Sequence, residues 1–168
     1  MIIENLKRLV QLIVLLALQV LLMNHIHVMG YGVPLVYVAL LLYFPANANK
    51  IATLVWAFAM GFLVDMFTNT PGLSAASLTF AAMFQGGWLK MLIPKDALED
   101  MTPNYHTMGV WNHLRYLTLL VFLHHFVYFL LESFSFYNLT DLGLAFGCSL
   151  LMTWIVIVVL ETLRGHGR

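Results

Sequence analysis

The chain has 168 residues, 61% hydrophobic and 10% charged, with a mean hydropathy of +0.86 and no formal net charge. A soluble domain carries about 25% charged residues, so the polar groups here are too few to cover a water-soluble globule, and no basic field points to nucleic acid. The single Cys148 excludes an internal disulfide and any multi-cysteine metal site. Within LGLAFGCSLLMTWIVIVVL it reads as a small packing residue.

A helix needs about 20 residues to cross a bilayer. Six spans are expected, at 7–26, 32–45, 50–68, 72–93, 113–133 and 139–163, in one transmembrane domain covering 1–168. In the first, Lys7 and Arg8 precede LVQLIVLLALQVLLM. That run is long for a signal peptide and NHIHVMGYG follows it, not a small-residue cleavage site, so it reads as a retained helix. The second span is short. The third and fourth are joined by TNTPG, where Thr70 before Pro71 predicts a capping residue and a first-turn proline. The fifth carries His124, His125 and Glu132. Aromatic residues near span ends (Tyr31, Phe67, Trp88, Trp111, Phe134, Phe136, Tyr137) match interfacial belts.

Lys and Arg collect on cytoplasmic ends. Six spans put all eight of them, Lys7, Arg8, Lys50, Lys90, Lys95, Arg115, Arg164 and Arg168, on one side. The expected fold is therefore an all-α six-helix bundle in a bilayer, with both termini cytoplasmic.

Asp65 sits near the end of the otherwise apolar run IATLVWAFAMGFLVDMF. It lies about 22 Å along its helix from Lys50, at 1.5 Å per residue. Ala57, Gly61 and Asp65 share one face, and small residues at that spacing let another helix approach closely. The carboxylate thus points at protein. Two uses compete: bracing the TNTPG turn through free backbone N–H groups, which the nearby interface favours, and serving as a ligand or proton site.

GFLVDMFTNTPGLSAASLTFAAM resembles the G-x-x-x-D segment and following turn of the rod shape-determining protein MreD family, and HHFVYFLLESFSF, at 124–136, is similar to a later segment of the family in one branch of Gram-negative bacteria. The resemblance implies a non-enzymatic inner-membrane subunit of the cell-elongation machinery. Its implied partners are an MreC-like protein, the actin-like MreB, and the peptidoglycan-synthesising RodA with its penicillin-binding partner. The family also looks like the six-helix substrate-binding subunits of energy-coupling-factor vitamin transporters. A small-molecule-binding transporter subunit is the alternative reading, and an integral membrane enzyme a weaker third.

His124 and His125 are adjacent, so they do not share a helix face and cannot chelate one ion as neighbours. Neutral histidines bonding across helices are expected. His125 and Glu132 lie two turns apart on one face, and Glu132 at its span end is expected to be partly hydrated. His25 and His27 belong to a loop. No metal-binding HExxH or nucleophilic GxSxG pattern occurs, and no cofactor is expected. The structural and interaction candidates are Gly61, Asp65, Pro71, Gly72, His125 and Glu132. The long loop PKDALEDMTPNYHTMGVWNH, with Asp96, Glu99 and Asp100, is either a solvated connector or a docking segment.

Overall fold

The computed structural model describes residues 2–26, 32–93, 102–135 and 139–165. Its helices are α1 (Ile2–Ala17), α2 (Lys50–Thr68), α3 (Leu73–Leu92), the short α4 (Tyr105–Met108), α5 (Val110–Glu132) and α6 (Leu139–Gly165), and no β-strand occurs among the described residues. Four helical stretches are long and apolar enough to cross a membrane: Ile3–His25, Lys50–Thr68, Val110–Glu132 and Thr140–Leu163. The chain is a multi-pass membrane protein by that measure. α3 has 20 residues, but its inward face carries the buried polar residues Ser74, Ser77 and Gln85, which lower its apolarity.

The expected second span is not one of the four. Residues 32–45 hold an eight-residue 3₁₀ helix, Val36–Tyr43, instead of an α-helix. At about 2.0 Å per residue it is about 16 Å long, far short of a bilayer core of about 30 Å. It is not lipid-facing either. Val36, Tyr37, Val38, Leu40 and Leu41 are all 0% exposed, and α1, α2, α3, α5 and α6 surround the segment. Non-helical backbone is tolerated at membrane depth where protein shields it, and here the protein does so completely. The run is apolar on every side because every side meets protein.

α2 and α3 pack most extensively. A Cβ built on Gly61 would lie 2.5 Å from the Ala75 Cα, so the backbones touch at this crossing and only glycine fits. The ends of the bundle differ in charge. Lys50 opens α2, Lys90 lies in the last turn of α3, and Arg115 sits near the start of α5. Arg8 stacks on Phe44, 4.9 Å from the ring centre, at that same end. Asp65, the 68–72 turn and Glu132 occupy the other.

Asp96, Glu99, Asp100, His27, Tyr31, Phe136 and Tyr137 lie outside the described residues.

Candidate functional site

The site lies at the Asp65 end. Asp65 is 4% exposed, and both carboxylate oxygens are engaged. One accepts the Ser74 N–H at 2.8 Å and the Thr70 hydroxyl at 3.0 Å; the other accepts the Ala75 N–H at 3.0 Å. The first turn of a helix has N–H groups with no intrahelical partner. Here a carboxylate from the preceding helix supplies acceptors, and its charge meets the positive end of the α3 dipole.

The expected Thr70 cap is therefore corrected. α3 begins at Leu73, its capping position is Gly72 at φ +85°, and no side chain of that residue caps it. Thr70 instead donates to Asp65, and its carbonyl accepts the Leu73 N–H at 3.2 Å. Asn69, at φ +57°, ends α2 in the left-handed region. Pro71 and Gly72 are exposed on this turn. The cap moves to Asp65 because Gly61 lets α3 approach close enough for a side chain of α2 to reach it.

A second group of polar side chains secures the entry of the internal segment. Gln19 sits in a π-helical turn, Leu18–Leu22, that continues α1, and is 0% exposed. Its oxygen accepts from the Val36 N–H at 2.7 Å; its nitrogen donates to the Pro34 carbonyl at 3.0 Å and to Asn24 at 2.9 Å. The Ser149 hydroxyl accepts from the Val33 N–H at 3.0 Å and the Thr153 hydroxyl from the Leu35 N–H at 2.8 Å. Pro34 has no N–H. Side chains of α6 and the π-helical turn thus satisfy the donors of residues 33, 35 and 36, which buried backbone requires. At the exit, Gln85 donates to the Phe44 carbonyl at 3.1 Å.

His125 belongs to this network. Its Nδ1 lies 2.9 Å from the Val121 carbonyl, so Nδ1 carries the proton and donates. Nε2, 3.0 Å from the Thr153 hydroxyl, then accepts, leaving Thr153 free to accept from Leu35. His124 turns elsewhere: its Nε2 is 3.3 Å from the Ser77 hydroxyl on α3, and its ring meets Tyr37 edge-on at 5.1 Å. Among the described residues no three His, Cys, Asp or Glu side chains gather in a metal-binding arrangement.

Between these two groups lies a cavity of about 480 Å³. It is lined by Gln19, Leu35 and Ser149, by Val64, Phe67, Tyr128 and Phe129, and by Thr68, Thr70 and Glu132. Glu132 is half-buried and also lines a second cavity, of about 580 Å³, beside Pro71 and Gly72. Of the six candidates, the structure brings Asp65, Pro71, Gly72 and Glu132 to this end, with Gly61 one turn below Asp65. His125 is two hydrogen bonds from the cavity wall, through Thr153 to Leu35. The sequence reasoning missed Gln19, Ser149 and Thr153. Gln19 was visible as a polar residue within LLALQVLL, and such residues face the interior of a bundle.

The opposite end closes on a different pair. His113 Nε2 lies 2.9 Å from a Glu161 carboxylate oxygen, with the residues 0% and 7% exposed. The Tyr105 ring packs on His113 with centroids 4.3 Å apart. Burial, and then the nearby Glu161, hold the Tyr105 phenol above its ordinary pKa of 10.0. Asn104 starts α4 with a capping box to Thr107.

No family model, no curated protein and no solved structure matches the chain.

Proposed function

We propose that the protein is a non-enzymatic scaffold subunit of the bacterial cell-elongation machinery, similar to MreD. It acts in the inner membrane with both termini cytoplasmic, and supports an MreC-like protein, MreB and the RodA–penicillin-binding protein pair. The observation that carries this reading is the state of the motif carboxylate. Asp65 has its oxygens committed to the α3 N-terminus and to Thr70, as a structural brace would. The two segments that carry the resemblance, far apart in sequence, also pack on one another, with His124 on Ser77. Apolar side chains such as Phe58, Phe62, Phe122 and Ile155 are exposed along the helices, as lipid- or partner-facing surfaces require. In this reading six passages are needed, with the internal segment as the second, for both termini to lie on the basic side. The test is affinity purification from bacterial membranes and rescue of rod shape in a strain lacking its MreD. Recovery of an MreC-like protein together with rescue is expected; failure of both would overturn the reading.

The cavity of about 480 Å³ favours a second reading, a small-molecule-binding membrane subunit of a transporter. Pockets for small ligands fall in the range of about 300–1,000 Å³. Mass spectrometry of the purified protein separates the two, since a transporter subunit retains a small molecule and a scaffold retains protein partners.

A further inference from the structure

We propose that the cavity at the Asp65 end takes a small organic cation, an alkylammonium compound; this deepens the ligand-binding reading and rests on it. Three observations converge. First, among the described residues Glu132 is the one charged side chain in the lining. Lys7, Arg8, Lys50, Lys90 and Arg115 belong to the far end of the bundle, and the segments at 24–32, 68–72 and 133–140 contain no Lys or Arg. A half-buried carboxylate lining a cavity in a membrane protein attracts a cationic partner.

Second, several hydrogen-bond donors of the lining are already engaged and are withheld from an anion. Gln19 directs its amide nitrogen to Asn24 and Pro34, Thr68 donates to the Val64 carbonyl, and Thr70 donates to Asp65. The α3 N-terminus, otherwise a ready anion site, is already filled by the Asp65 carboxylate. Asn24, Ser74, Tyr128 and Ser149 supply the remaining uncharged polar groups of the lining, and Glu132 the carboxylate.

Third, Phe67, Tyr128 and Phe129 supply aromatic walls. Aromatic faces attract cations within about 6 Å, most strongly where water is displaced, and quaternary ammonium ligands are recognised this way.

The experiment uses the full chain in lipid nanodiscs and isothermal titration calorimetry. The probes are choline and its neutral tert-butyl isostere, which differ in replacing the charged nitrogen by carbon. Choline should bind more tightly than the isostere by about tenfold or more. Glu132→Gln should remove that difference, and Ala145→Phe, which fills the cavity, should abolish binding of both. Equal binding of the two probes, or a Glu132→Gln variant that still discriminates, overturns the cation assignment while a ligand cavity stands. A neutral or anionic molecule co-purifying in the cavity does the same. No binding of either probe and no co-purifying molecule, with native helicity by circular dichroism, overturns the assignment and the ligand-binding reading together.

Discussion

The two ends of the bundle satisfy their buried polar groups in different ways. At the basic end, His113 and Glu161 meet side chain to side chain and the Tyr105 ring packs on His113, with one bond to backbone, from Gln85 to the Phe44 carbonyl. At the Asp65 end, side chains reach across to backbone groups of other elements: Asp65 to α3, and Gln19, Ser149 and Thr153 to residues 33–36. The Asp65 end also holds the cavity of about 480 Å³, lined in part by Gln19 and Ser149 of that network. A group bonded to backbone also fixes the chain path, so removing it should disturb the fold more than removing one member of a side-chain pair.

The largest effect is expected where backbones touch. Gly61→Val places new atoms against the Ala75 backbone, which cannot yield as a flexible side chain can. Overpacking of this kind costs about 1–3 kcal/mol and sometimes more. Membrane abundance of Gly61→Val should fall sharply in a quantitative immunoblot; normal abundance would show that the helices do not approach this closely.

Gln19→Leu comes next. It orphans the buried Val36 N–H and the Pro34 carbonyl, at about 1–3 kcal/mol for each buried group left unpaired. A lowered detergent melting temperature is expected, with the loss greater than for Glu161→Gln at the basic end. Equal losses would erase the contrast between the two ends.

Asp65 separates charge from shape. Asp65→Leu removes all three acceptor contacts. Asp65→Asn keeps one oxygen but turns an NH2 toward either the Ser74 or the Ala75 N–H, since each carboxylate oxygen receives one of them. Asn should therefore be intermediate in abundance, between wild type and Leu. An Asn variant as stable as wild type would mean that one oxygen suffices.

The smallest effect belongs to Tyr105. Its raised pKa means that the folded state favours the protonated phenol, so this contribution is fully present below the unfolded pKa of about 10 and is lost as pH rises through the higher folded value. Cleavage of the 102–108 region by protease should be unchanged by Tyr105→Phe at neutral pH. Above pH of about 10 the wild type should be cut faster than the variant. Equal rates in the two proteins would remove the phenol from the closure.

Much of the α-helical layout was legible because long apolar runs with turn residues between them leave few alternatives. The third span, Lys50–Thr68, matched in both bounds. The inward face of Ala57, Gly61 and Asp65 was legible too, because a carboxylate in an apolar run must face protein, and all three are buried. The internal segment was not. YGVPLVYVALLLYFP is apolar on every side, and a run enclosed by protein has the same composition as one enclosed by lipid. Gln19 was legible by the same rule, since it falls at regular helical spacing from the buried Leu12 and Leu15, but its partners at Pro34 and Val36 were not, because they belong to that internal segment. Thr70 misled because a local cap was assumed where the acceptor comes from the preceding helix, a contact that only the Gly61 crossing makes possible.

The most direct test of the central claim, that Asp65 is a brace within a scaffold, sets rod-shape rescue against membrane abundance for Asp65→Asn and Asp65→Leu. The account predicts that rescue falls in step with abundance, with Asn between wild type and Leu. An Asn variant present at normal levels yet unable to restore shape would contradict it, and would assign the carboxylate charge a direct part in function.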